Sequence, residues 1–415
     1  MRVDRGTLTH AANVVAAMLE FSGPADETLS GYFRAHRQLG VQERAFVAEA
    51  AFAVLRRRRS LEAASGSAVP QALVAAAALK VLGLSRRSLE GLVEPGLVER
   101  VRTFRAAELA PAVRADLPDW LWERLSEDYG AAQAGQIAQG MLNAAPLDLR
   151  VNLARTSRDE AMARLAADGI EARPTPYSPA GLRLAGKPAI NRHALFRDGL
   201  VEVQDEGSQI LAWLVAPRRG EMVADYCAGA GGKTLALSML MRGTGRLYAM
   251  DVSARRLAAL GPRAARAGVT NVHSIVLAGD NDARTKRLAG KMDRVLVDAP
   301  CSGFGTLRRN PDLKWRHGPE AIGELAGKQR RILEAAARLV KTGGRLVYAT
   351  CSILKAENEA IADDFAAAHP EFASVSCAQL LAGQRIPLPS EPRMRLWPHV
   401  QGSDGFFAAA FERRA

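Results

Sequence analysis

Two thiols and the charged residues around them are where this chain's residue types suggest chemistry. Asp298-Ala299-Pro300-Cys301 follows an apolar run, Val295 to Val297, and leads into a glycine-punctuated turn; Cys351 closes a second apolar run, Leu346 to Thr350. Both runs read as β-strands, and the carboxyl ends of strands are where open α/β sheets bind their ligands. A thiol on such a loop is a candidate nucleophile. Free cysteines also serve as small buried hydrophobes, a reading that suits Cys377, and suits Cys227 as a packing neighbour of a cofactor. It does less for two cysteines that each end a strand. Beyond Cys301 the segment turns basic and aromatic, with Arg308, Arg309, Lys314 and Trp315. These are residue types that pair with phosphate and stack on bases; in isolation they more often describe a solvated loop, but next to Cys301 contact with RNA is the favoured reading.

A second constellation lies upstream. Asp225-Tyr226-Cys227-Ala228-Gly229-Ala230-Gly231-Gly232-Lys233-Thr234 follows one apolar run and opens a helical pattern. Its glycines allow positive φ and close approach of backbone to a ligand. A nucleoside-triphosphate loop requires glycine where Cys227 stands, and a dinucleotide fingerprint requires a small residue where Thr234 stands. An adenosyl ligand without a pyrophosphate remains. Asp251 closes the next strand, 251 − 231 = 20 residues after Gly231, a spacing suited to a carboxylate that accepts both ribose hydroxyls. Asp280, in Gly279-Asp280-Asn281-Asp282, follows the third strand and is a candidate for the adenine amino group. Single acidic residues at strand ends are often only helix caps. Three in succession, Asp225, Asp251 and Asp280, favour S-adenosylmethionine.

The elements that must position these residues are legible from periodicity. From about residue 201 strands and helices alternate as in a doubly wound parallel sheet, with strands expected at Met222–Tyr226, Arg246–Met250, Val272–Val276, Asp293–Val297, Arg345–Ala349 and Gly405–Phe411. Residues 139–200 mix an alternating strand pattern (Leu147, Leu149, Val151) with a short helix capped at Ser157, and suggest a small α/β module. Residues 1–138 are helical throughout, with apolar positions recurring at three and four, and suggest an all-α domain of five to seven helices. The run Arg56–Arg59 ends one of them, either as favourable charge at a helix C-terminus or as an RNA-contacting edge.

Composition narrows the class. A chain of 415 residues is long for one core, and its formal charge of +12 favours a polyanionic partner such as RNA. Its cysteines stand at 227, 301, 351 and 377, with neither the density of a disulfide scaffold nor a zinc-like spacing. No metal site is expected. The N-terminal segment lacks the pattern of a secretory signal, and no window is long and apolar enough to span a membrane, so a cytoplasmic protein is expected.

With DYCAGAGGKT, DAPCSGFGTLRRNPDLKW, YATCSILKAENEAI, QDEGSQ and GSDGFF on the page, residues 200–415 closely resemble RNA cytosine-5 methyltransferases of the Sun/RsmB type. The resemblance extends more weakly to residues 1–200, since bacterial members that methylate 16S ribosomal RNA carry a helical domain similar to the antiterminator NusB, followed by a small α/β module. It implies a Rossmann-like catalytic domain at 201–415, with S-adenosylmethionine held by the loop Asp225–Lys233 together with Asp251, Asp280 and Asp298. It further implies Cys351 as the nucleophile that adds to carbon 6 of cytosine, and Cys301 as the residue that assists proton removal and RNA release. By analogy with the DNA enzymes the order of the two thiols would be reversed, so their order rests on the family. Asp298 would read the cytosine amino group and Lys233 would reach the base. The implied partner is ribosomal RNA, most directly 16S, either naked or within a small-subunit assembly intermediate, acted on by a monomer. Transfer RNA is the alternative substrate, and a non-catalytic RNA-binding assembly factor is the alternative from another class. DNA fits least, since no separate target-recognition insert is visible. Glu357-Asn358-Glu359 is expected only to cap or brace the following helix.

Overall fold

A computed structural model describes residues 3–280, 282–389 and 391–414. The chain divides into two compact units, Met1–Ala144 with Thr306–Glu320, and Ala145–Gly305 with Ala321–Ala415.

The first unit is helical. The helix Arg5–Leu19 starts where Asp4 accepts from the Thr7 amide at 2.7 Å, a side-chain cap for one of the amides that a helix start leaves unpaired. Its face of Val14, Val15 and Met18 packs with Phe46, Val47, Ala50 and Val54 of Val41–Arg56 and with Leu73 and Val74 of Pro70–Lys80 in one core. Among the described residues eight α-helices lie between Arg5 and Tyr129, one of them the four-residue Pro111–Arg114, rather than five to seven. The arginine run ends one helix at Arg56 and starts another at Arg58. Arg58 pairs with Glu62 at 2.8 Å and Arg59 with Asp119 at 2.6 Å, which supports the structural reading of the run.

The basic segment beyond Cys301 is corrected here. Residues 306–320 belong to the helical unit. Lys314 is 2% exposed and donates through Nζ to the carbonyls of Arg56 at 2.8 Å and Asp116 at 2.5 Å. Trp315 Nε1 donates to the Leu55 carbonyl at 2.8 Å, and Arg308 is 5% exposed with its own carbonyl accepting from Arg56. Lys314, Trp315 and Arg308 thus tie this segment into the helical core; the expected RNA edge is not built from them. Burial drives the Lys314 ammonium down to about 7, against the opposing pull of Asp116.

The second unit opens with a small antiparallel sheet: β1 (Leu147–Val151), β2 (Ala172–Pro174), β3 (Gly181–Leu184) and β4 (Val201–Val203), in the order β2-β3-β1-β4. The helix Arg158–Ala167 between β1 and β2 carries the expected capping box, Ser157 with Glu160. The helix Ala131–Met141 runs through residue 138, and β4 pairs with β1 from beyond residue 200.

The large sheet contains β5 (Met222–Asp225), β6 (Arg246–Asp251), β7 (Val272–Val276), β8 (Met292–Asp298), β9 (Val340–Thr350), β10 (Phe372–Val375), β11 (Met394–Leu396) and β12 (Phe406–Arg413). Its order is β10-β12-β9-β8-β5-β6-β7, with β11 added to β12. β5 to β9 pair in parallel, while β12 runs antiparallel between β9 and β10. The interior strands are covered on both faces, and this is why they read as continuous apolar runs rather than as alternation. The order of strand addition reverses between β5 and β8, and ligands of open α/β sheets bind at the carboxyl ends of the strands flanking such a point. Those ends are Asp225 and Asp298.

Candidate active site

The loop after β5 is shaped by two glycines. Gly229 and Gly231 have φ of 53° and 83°, values that exclude most side chains. A Cβ on Gly231 would lie 2.2 Å from Leu260 Cδ1, and one on Gly229 would lie 2.5 Å from Arg256 Nη2. The rest of the loop is anchored through backbone: Ala228 donates to the Met250 carbonyl at 2.9 Å, the Ala230 carbonyl accepts from Arg263 at 2.6 Å, and the Gly232 carbonyl accepts from Arg150 at 2.8 Å. Asp251 at the end of β6 accepts from the amides of Gly229 and Ser253 at 2.8 and 2.7 Å, so its carboxylate is held rigidly beside the loop.

Asp225 is fully buried. Its Oδ2 accepts from Thr234 Oγ1 at 2.7 Å, while Oδ1 has no protein partner. Burial, only partly offset by that hydrogen bond, pushes its carboxyl up to about 7. An orphaned buried carboxylate oxygen is costly unless a ligand supplies a donor. Together with the glycine turn and Asp251, this set of carboxylate acceptors fits a ligand that carries both an ammonium group and a ribose. Cys227 packs partly buried against the sheet core, and burial raises its thiol. Asp280 is half-buried and lies 3.4 Å from Arg331 Nε. Its neighbour Asn281 lies outside the described residues.

The two thiols meet. Cys301 Sγ lies 3.4 Å from Cys351 Sγ, although 50 residues separate them (351 − 301 = 50). The cause is register: β8 and β9 are parallel neighbours with Asp298 opposite Ala349, so each chain leaves the sheet at the same level, and adjacent strands are only about 4.8 Å apart. Contact with Cys351, then burial, holds the Cys301 thiol well above the ordinary thiol range.

At the switch point Lys233 Nζ donates to Asp298 Oδ2 at 2.6 Å. Burial works against the charged amine, but the Asp298 carboxylate outweighs it and the Lys233 ammonium stays above its usual range. The Phe406 ring centroid lies 5.7 Å from Nζ. The flanking motifs build the wall. Asp205 of QDEGSQ accepts from the amides of Gly207 at 2.8 Å and Asp404 at 3.1 Å. Gly405 donates to the Gly305 carbonyl at 2.8 Å, and Gly305 donates to the Cys351 carbonyl at 2.8 Å. A Cβ on Gly305 would sit 2.1 Å from the Gly405 oxygen, so only glycine permits this crossing.

One residue of the site is given only a helix-bracing role by the sequence reading. Glu357 is fully buried and faces the two thiol loops rather than the helix that follows it. The signal was present: both cysteines are followed by serine, Cys301-Ser302 and Cys351-Ser352, and both serines meet this carboxylate.

A doubly wound sheet of this order, with a glycine turn and acidic strand ends at its switch point, defines an S-adenosylmethionine-dependent methyltransferase. Residues 212–412 match the family described as 16S rRNA methyltransferase RsmB/F, and residues 117–191 match the ferredoxin-like domain of the same proteins. The chain is 33% identical over 304 residues to the probable ribosomal RNA small subunit methyltransferase B of Bacillus subtilis, covering 73% of this chain and 68% of that protein. To the ribosomal RNA small subunit methyltransferase B of Sodalis glossinidius it is 35% identical over 345 residues, covering 82% and 76%. Among solved structures, PH0851 superposes with a TM-score of 0.80 at 27% identity over 100% of both chains. NSun6 from Pyrococcus horikoshii with SFG gives 0.64 at 21% identity over 72% of this chain and 98% of that one, a likeness of fold. The chain belongs to the RsmB/F family of ribosomal RNA methyltransferases, which use S-adenosylmethionine.

Proposed function

We propose that the protein transfers a methyl group to carbon 5 of a cytosine in 16S ribosomal RNA through a covalent cysteine–cytosine intermediate. The observation that carries this reading is the 3.4 Å contact between Cys301 and Cys351 at the edge of the switch-point crevice. Transfer to an exocyclic nitrogen or a ribose oxygen has no use for two touching thiols. Carbon 5 of cytosine does, because it is a poor nucleophile until a thiolate adds to carbon 6.

In this mechanism Asp225, Asp251 and the Gly229–Gly231 turn hold S-adenosylmethionine, which supplies an electrophilic methyl group when bound; Asp280 takes the adenine end. The Cys351 thiolate adds to carbon 6, and the carbon 5–carbon 6 electron pair becomes available at carbon 5. Asp298 keeps one oxygen on Lys233 and uses the other to accept from the cytosine amino group, a donor that uracil lacks. Lys233 brings positive charge to the base, where negative charge develops. Once carbon 5 carries the methyl group, its proton must leave. Cys301, whose thiol is held above the ordinary range in the free protein, first gives its own proton to solvent and so becomes the thiolate that this step needs. Cys301 removes the carbon 5 proton, the double bond re-forms, and the Cys351 thiolate is expelled. The base must leave its stack to reach these groups, which favours a single-stranded or opened target. The all-α unit and the four-stranded module bind the surrounding RNA.

The test is incubation with labelled S-adenosylmethionine and undermodified small-subunit RNA, large-subunit RNA or transfer RNA, followed by mapping of 5-methylcytosine. Transfer to small-subunit RNA is expected. Label on another atom, or on none of the three RNAs, would overturn the reading.

A further inference from the structure

Each cysteine of the pair is followed by a serine, and the two serines converge on one buried side chain. Glu357 Oε2 accepts from both Ser302 Oγ and Ser352 Oγ, while Oε1 accepts from the Ser302 amide at 2.8 Å and from Gln329 Nε2 at 3.0 Å. The serine hydroxyls themselves lie 3.3 Å apart. Glu357 is fully buried, and four neutral donors surround it. Gln329 is anchored in turn, since the same Nε2 donates to the Pro300 carbonyl at 3.0 Å. On the other side of the Cys351 loop, Asn358 Nδ2 donates to the Ser352 carbonyl at 3.0 Å, and its Oδ1 accepts from Thr350 Oγ1. Asn358 stands at the start of the helix Glu359–Ala368 yet caps none of its amides. Both side chains are turned away from the helix they precede and toward the thiol loops.

A fully buried carboxylate is expensive to keep, and a helix brace does not require one. This one joins the residue after each thiol, so it fixes the backbone of both loops at the point where each cysteine leaves its strand. From this we infer that Glu357 is a positioning residue for methyl transfer: it clamps the Cys301-Ser302 and Cys351-Ser352 steps together so that both thiols reach the same edge of one base. The inference rests on the two-thiol reading above. Glu357 touches neither thiol through a hydrogen bond; it acts through the serines. Its negative charge also adds to the elevation of the Cys301 thiol, after contact with Cys351 and burial.

The clamp can be tested without turnover. A trivalent arsenical such as phenylarsine oxide bridges two thiols that are in contact, with loss of one water: one As–O double bond is replaced by two As–S bonds. Wild-type protein is expected to bind one arsenic across Cys301 and Cys351, read by intact mass and peptide mapping, and Cys301→Ala is expected to lose that bridge. Glu357→Ala is expected to lose at least tenfold in bridging affinity and a hundredfold in kcat, with KM for S-adenosylmethionine within threefold, because the cofactor loop is built elsewhere. Glu357→Gln is expected to retain bridging within threefold, because an amide can meet the same partners once the serine hydroxyls reverse. Should Glu357→Ala fail to fold, the Ser302→Ala/Ser352→Ala pair takes its place with the same expected losses. Bridging retained within twofold in the folded clamp variant overturns the inference. Bridging intact in wild type with no 5-methylcytosine formed overturns the two-thiol reading instead, so the two failures are distinct.

Discussion

Lys233 Nζ and Asp298 Oδ2 are 2.6 Å apart at the point where the strand order reverses, one from the start of a helix and the other from the end of β8. Their side chains keep only 12% and 26% of their exposure, so neither charge is fully solvated and each depends on the other. Removing one member strands the other, whereas removing both does not. Lys233→Ala and Asp298→Ala are each expected to lower kcat/KM by about a hundredfold or more, in the range of a lost electrostatic donor. The double variant should lose far less than the product of the two. A cycle of steady-state kinetics on the four proteins measures this; strict additivity would show that the pair does not act as a unit.

The order of the thiols gives a second prediction. Cys351→Ala should be inactive and form no RNA adduct. Cys301→Ala should accumulate a covalent RNA complex stable to denaturing electrophoresis, because the carbon 5 proton is no longer removed and Cys351 cannot be expelled. An adduct in Cys351→Ala alone inverts the assignment.

The same contact makes the pair sensitive to a thiol oxidant. A diazene such as diamide takes up two electrons and two protons, becoming the hydrazine as the Cys301–Cys351 bond forms. Activity should fall with formation of one disulfide per chain and return with dithiothreitol. Cys301→Ala should show no such intramolecular bond by peptide mapping.

Asp225 predicts how cofactor affinity depends on pH. Its carboxyl is raised to about 7 from an ordinary value near 4, so the proton it holds near neutrality must leave before both oxygens can accept from an ammonium group. Affinity for S-adenosylmethionine should therefore rise as pH increases through about 7, with proton release seen by calorimetry in buffers of different ionisation heat. The same shift means that the apo fold loses stability as pH rises from about 4 toward 7. Asp225→Asn should flatten the affinity profile.

Lys314 separates the buried reading of the basic segment from an RNA-contacting one. Lys314→Ala is expected to destabilise the helical unit by about 1–3 kcal/mol, the range for leaving buried carbonyls unpaired, as read by thermal unfolding. RNA affinity should keep its salt dependence. A salt slope reduced by about one would place Lys314 on a phosphate instead.

Strand by strand, the large sheet was legible because both-face burial writes itself as apolar runs. Val272–Val276 is as expected from the sequence, and Met292–Asp298 differs by one residue at each end. β10 and β11 were missed because they are only four and three residues long, too short for a period to register. The proximity of Cys301 and Cys351 comes from the parallel register of β8 and β9, a pairing that no local pattern encodes. Lys314 and Trp315 were misread because a lysine whose amine meets buried carbonyls has the same letter as one in solvent. Glu357 was misread for a similar reason. A glutamate just ahead of a helix normally serves that helix, and only the paired serines hint that it serves something else.

β12 enters the sheet between β9 and β10, and with it come Phe406, near Lys233, and Gly405, whose amide closes on Gly305 beneath Cys351. The motif glycines and both cysteines precede that strand in the chain, so during vectorial synthesis every reactive group is made before the wall that confines it. The thiol contact needs only the pairing of β9 with β8, whereas the Phe406 ring near Lys233 and the Gly405–Gly305 bond are supplied by the last strand of the sheet to be synthesised.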